Sequence, residues 1–196
     1  MVYNLFNHNQ LLFLHIPKTA GTSVSSWLTK FSLLCPFEDN SYEHLHFDLE
    51  TLKKQITKPY KSFTVVRNPW DRTISAYFYS LKHFSDFLSN SSTYITFEEF
   101  VLKLRDGLSI SNPNLCQTQV DWISSPVDYI LKFENLDQDF TIIQNYIGKY
   151  EPLPRENTRD QDTKMPYQEY YNNTTRKIIE EICARDILEF GYKFND

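Results

Sequence analysis

The stretch Gln10-Leu11-Leu12-Phe13-Leu14-His15-Ile16-Pro17-Lys18-Thr19-Ala20-Gly21-Thr22-Ser23-Val24 decides the fold. Gln10 to Ile16 is a short apolar run ended by Pro17, the pattern of a buried strand. Thr22 to Leu34 follows with Val24, Trp27, Leu28 and Phe31 at helical spacing, so a helix is expected directly after the strand. The same alternation returns along the chain. Lys61 to Val66 is rich in β-branched and aromatic residues and stops at Asn68-Pro69, a second strand. Asp71 to Leu88 carries Ile74, Tyr77, Phe78, Leu81 and Phe84, a long helix. Val127 to Phe133 reads as a third strand and Leu136 to Ile147 as the helix after it. Alternating strands and helices imply an α/β fold, a parallel sheet with helices on both faces.

The remaining elements fill this frame. Asp48 to Ile56 reads as a short helix, and Thr96 with Glu99 forms a capping box that opens a helix ending before Gly107. Gly107, Gly148 and Gly191 each follow an apolar-periodic segment, where a helix end favours positive φ. Pro152 to Pro166 is polar and proline-rich, a surface loop, and Tyr167 to Phe190 is the last helical region.

The chain has 196 residues, 41% of them hydrophobic, with 15 Phe and 13 Tyr, enough for one core and against a disordered chain. A single domain over 1–196 is expected. Leu11 to Leu14 is the longest apolar run near the start, too short to span a bilayer, and no signal peptide is visible. The net charge of −5 argues against a general nucleic-acid binder, so any anionic ligand must be held by a local cluster of donors. Cys35, Cys116 and Cys183 are widely spaced and suggest neither zinc nor a disulfide framework. The acceptor-like sequons at Asn90, Asn172 and Asn173 are read as coincidence.

Ligands of such sheets bind beyond the carboxyl ends of the strands, and two unusual segments sit there. In His15 to Ser23, Gly21 is expected to permit a tight turn, Thr22 and Ser23 set hydroxyls at a helix N-terminus, and Lys18 adds a mobile charge. Helix N–H groups and dipole there favour a phosphate or sulfate. A Ser/Thr-capped turn with a solvated lysine fits the same residues. A nucleotide-hydrolase P-loop does not, because GxxxxGK[ST] places the lysine after the last glycine. In Arg67-Asn-Pro-Trp-Asp-Arg-Thr-Ile-Ser75-Ala-Tyr77, a guanidinium at a strand end can fork onto a phosphate, and Ser75 lies inside the following helix. For Arg67 a structural ion pair is the plainer alternative.

His-Ile-Pro-Lys-Thr-Ala-Gly-Thr-Ser resembles the 5′-phosphosulfate loop of the sulfotransferases, and Arg-Asn-Pro-Trp-Asp-Arg-x-x-Ser-x-Tyr resembles their 3′-phosphate motif. The nearest branch is the carbohydrate type that includes the heparan sulfate 2-O- and 6-O-sulfotransferases. Phe133-Glu134-Asn135-Leu136, Asn157-Thr158-Arg159, Tyr170-Tyr171 and Asp186 to Phe194 extend the likeness over most of the chain. It implies the P-loop nucleotide-hydrolase-like sulfotransferase fold and 3′-phosphoadenosine 5′-phosphosulfate (PAPS) as co-substrate, with no metal. Lys18, Thr19, Ala20, Gly21, Thr22 and Ser23 would hold the 5′-phosphosulfate, Arg67 and Ser75 the 3′-phosphate, and Asn157, Thr158 and Arg159 would close over the nucleotide.

Transfer to a hydroxyl needs a base, most often imidazole near neutral pH. Leu45-His46-Phe47-Asp48 resembles the segment carrying the catalytic histidine of the 6-O enzymes, so His46 is favoured and His44 is second. Lys18 would stabilise charge on the leaving phosphate. The acceptor would be a hydroxyl-bearing glycan or small molecule; aromatics from Tyr77 to Phe100 and around Trp122 suit sugar stacking or core packing alike. With no anchor segment visible, a cytoplasmic location is expected. Two other readings stand: an ATP-dependent P-loop-type kinase, and a non-catalytic nucleotide-binding module.

Overall fold

The computed structural model describes residues 11–31, 60–83, 89–90, 93–107, 117–156 and 165–196. The chain divides into two compact units, Met1–Arg67 with Asp121–Arg159, and Asn68–Val120 with Asp160–Asp196.

The first unit is built on β1 (Leu11–Leu14), β2 (Lys61–Val66) and β5 (Tyr129–Lys132), all parallel in the order β1-β2-β5. Leu14 lies opposite Thr64, and Val66 opposite Lys132. The Thr64 hydroxyl donates to the Leu14 carbonyl at 2.8 Å, satisfying a hydroxyl inside the sheet. Phe13, Phe63, Val65 and Leu131 point to one face and meet Val24, Trp27 and Leu28 of α1 (Gly21–Lys30), together with Phe140 and Ile143. The opposite face, with Leu12, Leu14, Thr64 and Val66, is buried as well. Burial on both faces is why β1 and β2 read as continuous rather than alternating apolar runs, whereas β5 at the sheet edge leaves Ile130 exposed. Trp27 and Phe140 meet edge to face, with ring centroids 5.0 Å apart. Truncating Trp27 to alanine would cost about 3–5 kcal/mol.

The second unit packs α2 (Pro69–His83), α3 (Phe97–Arg105) and α7 (Asn173–Ile182) around Ile74, Tyr77, Phe100, Val101, Ile178 and Ile179. A two-stranded antiparallel ladder, β3 (Ser89–Asn90) and β4 (Thr93–Tyr94), follows α2, where the sequence pattern shows no strand signal. α4 (Gln119–Trp122) is a single turn whose first amides, Gln119 and Val120, donate to the buried Asp186 carboxylate on α8 (Ala184–Phe190) at 2.8 and 2.9 Å.

Several boundaries differ from the sequence reading. The expected helix Leu136 to Ile147 is α5 (Leu136–Asp139) and α6 (Thr141–Ile147), broken where Phe140 is drawn into the core and the Thr141 hydroxyl bonds the Gln138 carbonyl. The region Tyr167 to Phe190 is a 3-10 turn at Tyr167–Tyr170, then α7, then α8. Asn172 and Thr175 cap each other reciprocally, so the chain starts a new helix there instead of continuing one. The box at Thr96 and Glu99 forms as expected, and Gly107, Gly148 and Gly191 all adopt positive φ. The expected helix Asp48 to Ile56 lies outside the described residues. Among the described residues no helix is long and apolar enough to cross a membrane.

Candidate functional site

The β1–α1 loop is unusual in its backbone before any side chain is considered. Lys18 and Ala20 adopt left-handed conformations, at φ 69° and 70°. Such conformations cost a non-glycine residue about 1–2 kcal/mol each. Thr19 between them is fully buried, and its hydroxyl closes the loop on the Ile16 carbonyl at 2.8 Å. Ala20 occupies the N-cap of α1 and has no polar side chain with which to cap the helix. By contrast α3 and α7 begin with reciprocal capping boxes, and Asn68 caps α2. An alanine at the N-cap supplies no oxygen of its own to the first amides of α1.

Gly21 does not supply the turn. Its φ is not positive; the turn is made by Lys18 and Ala20. Glycine is required for space instead, because a Cβ at this position would lie 1.7 Å from His15 Nε2. The His15 ring stacks on Phe13, with centroids 5.8 Å apart, and lies against the start of α1.

Arg67 directly follows β2 and is 8% exposed. The parallel register sets it across from Phe133, and its guanidinium lies 4.0 Å from the Phe133 ring centroid. Its Nη1 donates to the Lys18 carbonyl at 3.1 Å. The cation of one motif is thus fastened to the backbone of the other loop, against a ring that orients it. Ser23 accepts the Glu156 amide at 3.2 Å on its hydroxyl, and Trp27 Nε1 donates to the Glu151 carbonyl at 2.7 Å. These bonds strap residues 151–156 along α1, with Lys30 paired to the Glu151 carboxylate at the far end. Thr22 is exposed.

The second motif begins a helix two residues earlier than its periodicity suggests. Asn68 is the N-cap, its Oδ1 accepting the Trp70 amide at 3.1 Å, and Pro69 takes the first helical position, where no amide is needed. The Tyr171 hydroxyl donates to the Trp70 carbonyl at 2.8 Å. Burial pushes that phenol well above the usual tyrosine range, so it stays a donor into strongly alkaline solution. Ser75 lies half-buried in the second turn of α2, one turn after Asp71. His44, His46, Asn157, Thr158 and Arg159 lie outside the described residues.

A model of the sulfotransferase family matches residues 3–193, nearly the whole chain. The chain belongs to the sulfotransferase family. Among solved structures it is similar to mouse sulfotransferase SULT7A1 complexed with PAP, at 13% identity, covering 92% of this chain and 85% of that one with a TM-score of 0.54. It is also similar to a sulfotransferase from Alicyclobacillus acidocaldarius, at 13% identity over 97% of this chain and 98% of that one, with a TM-score of 0.48. The comparison with curated proteins finds no match. The parallel sheet flanked by helices is the P-loop-like sulfotransferase fold.

Three residues of this sulfotransferase escaped the sequence reading of the two loops. Phe133 reads in the sequence as a strand end and part of a resemblance, yet it is the surface on which Arg67 lies. His15 enters the sequence reading only as the first residue of the loop segment, yet its ring stacks on Phe13 and dictates Gly21. Asn68 was read as the end of a strand; Asn followed by Pro is equally an N-cap and first helical position, and that signal was available.

Proposed function

We propose that this sulfotransferase moves a sulfuryl group from PAPS to a carbohydrate hydroxyl by in-line displacement. The observation that carries the reading is the bond from Arg67 to the Lys18 carbonyl, which joins the two loops whose motifs point to the two anionic ends of one nucleotide. The left-handed Lys18 and Ala20 and the alanine, rather than a capping side chain, at the N-cap of α1 support anion binding at the first loop. In this reading residues Lys18 to Ser23 take the 5′-phosphosulfate, Arg67 and Ser75 the 3′-phosphate, and Asn157, Thr158 and Arg159 close over the nucleotide. His46, with His44 as the alternative, accepts the hydroxyl proton as the new S–O bond forms. The S–O bond to the 5′-phosphate breaks, and its electron pair leaves on the phosphate oxygen, where the Lys18 ammonium offsets the charge. The carbohydrate acceptor rests on the resemblance to the 2-O and 6-O enzymes.

Calorimetric titration with 3′-phosphoadenosine 5′-phosphate, beside ATP with magnesium, tests the donor. Binding of the bisphosphate, little of ATP, and loss on Arg67→Ala are expected; preference for ATP would move the kinase reading to first place. Lys18→Ala should lower turnover about 100-fold or more while weakening donor binding less, since its charge acts on the leaving group. Equal losses in both would contradict that role.

A further inference from the structure

Residues 193–196 are tied to the start of α2 by an arrangement that helix formation alone does not require. Asn68 Nδ2 donates to the Lys193 carbonyl at 2.9 Å and lies 3.2 Å from the Tyr167 hydroxyl oxygen. That hydroxyl donates to the Phe194 carbonyl, and the Asp196 carbonyl lies 3.2 Å away as a second acceptor. The Phe194 ring stands edge to face with Trp70, Tyr167 and Tyr171, at centroid separations of 5.5, 5.8 and 5.6 Å. The Arg176 guanidinium covers it at 4.3 Å, while the Arg176 carbonyl accepts Trp70 Nε1 at 3.2 Å.

Most of the groups that residues 193–196 touch also hold the first turn of α2, and Tyr167 reaches it through the Asn68 amide. Asn68 caps it, Trp70 is its second residue, and Tyr171 bonds the Trp70 carbonyl. The choice of cap residue is informative. Asp and Asn cap helices about equally well, but a carboxylate cannot donate to Lys193, whereas the Asn68 amide accepts the Trp70 N–H on Oδ1 and donates to the Lys193 carbonyl from Nδ2, two separate atoms of one side chain. The position is therefore chemically matched to residues 193–196 as well as to the helix.

We propose that residues 193–196, acting through Asn68, Tyr167 and the Phe194 ring, are a positioning element that fixes the first turns of α2 and thereby orients Ser75 for the 3′-phosphate of the donor nucleotide. The proposal rests on the reading that Ser75 and Arg67 take this phosphate, and the test separates the two. Asn68, Tyr167 and Phe194 are positioning residues; none needs to touch the nucleotide.

The test titrates wild type, Tyr167→Phe, Asn68→Asp and Arg67→Ala with 3′-phosphoadenosine 5′-phosphate and with adenosine 5′-monophosphate, and records thermal unfolding of each. Tyr167→Phe removes one hydroxyl and keeps the ring; Asn68→Asp keeps the cap and removes the donor. Both should lose about tenfold in affinity for the bisphosphate, the size of one weakened charged hydrogen bond, with monophosphate binding unchanged within about twofold. The preference for a 3′-phosphate then narrows without loss of the fold. If these variants keep the wild-type preference while Arg67→Ala loses it, the positioning role is overturned and the donor reading stands. Equal weakening of both nucleotides would also overturn it, since that is the mark of a merely structural contact. If wild type itself shows no preference for the bisphosphate, the donor reading falls first. Should Asn68→Asp fail to fold, the Tyr167→Phe result decides alone.

Discussion

The two ends of the β1-β2-β5 sheet use their polar residues in opposite ways. At the amino end, Asp128 accepts the Lys61 ammonium at 2.7 Å and the Ser62 amide and hydroxyl at 2.8 and 2.9 Å, and its own amide donates to the Ser62 hydroxyl at 3.1 Å. These groups answer one another and fix how β2 meets β5. At the carboxyl end the backbone is held at two left-handed non-glycine residues, a ring excludes any side chain from position 21, and a guanidinium is stacked on Phe133. One end lowers the energy of the fold; the other carries conformations that cost energy. Strain of that kind persists where the surrounding structure overdetermines it, and it clusters at functional sites. The comparison can be broken at either end.

The largest effect is expected from Gly21→Ala. The added Cβ would overlap His15 Nε2, so the ring or the loop must move. Overpacking of this kind costs about 1–3 kcal/mol or more. We expect a folded protein whose affinity for 3′-phosphoadenosine 5′-phosphate drops about 100-fold, roughly 2.7 kcal/mol. The double variant His15→Ala/Gly21→Ala, which restores the space, should recover most of that loss by calorimetry. Wild-type affinity in the single variant would mean the loop is not set by the ring.

How much of this was legible follows from what each residue advertises. β2 was read at its observed limits, and Thr96 with Glu99 declared its helix, because both signals are local and chemical. The two loops were legible as places where donors converge. Their internal geometry was not: nothing in alanine or lysine announces a left-handed backbone, so the turn was credited to Gly21, the residue that usually makes one. The real reason for Gly21 is a ring six residues earlier, a tertiary fact with no sequence signature. The break at Phe140 escaped for a similar cause, since the periodicity of Leu136 to Ile147 continues through a residue pulled inward by Trp27 and Phe63.

Next in size is Phe133→Leu, which removes the ring beneath Arg67 while keeping apolar volume. A partly buried cation–π contact is worth about 1 kcal/mol, so donor affinity should fall about fivefold with little change in thermal midpoint. A loss of stability with no loss of affinity would assign Phe133 to packing alone.

Ala20→Gly should act in the opposite sense to Gly21→Ala, although the two sites are adjacent. It relieves the left-handed penalty at the α1 N-cap and adds freedom to the unfolded chain, for a net gain of about 0.5–1 kcal/mol. Urea unfolding reads this directly. A loss of stability would show that the alanine methyl packs more favourably than its backbone is strained.

The smallest effect is expected at the amino end, where the gain is electrostatic and partly exposed. Burial alone would raise the Asp128 carboxyl; the Lys61 ammonium and the Ser62 amide and hydroxyl outweigh it and hold the group below its ordinary value of 3.8. A depressed folded value means that the clamp contributes fully above the unfolded value and is lost as pH falls through the folded one. Asp128→Asn should therefore lower the thermal midpoint by only about 2 °C near neutral pH, and the gap to wild type should close below about pH 4. Donor affinity should not change, because nothing at this end belongs to the loops. If the gap persisted in acid, the carboxylate's charge would not be the source of its contribution. If donor affinity fell as well, the division between a sheet end that stabilises and a sheet end that binds would be wrong.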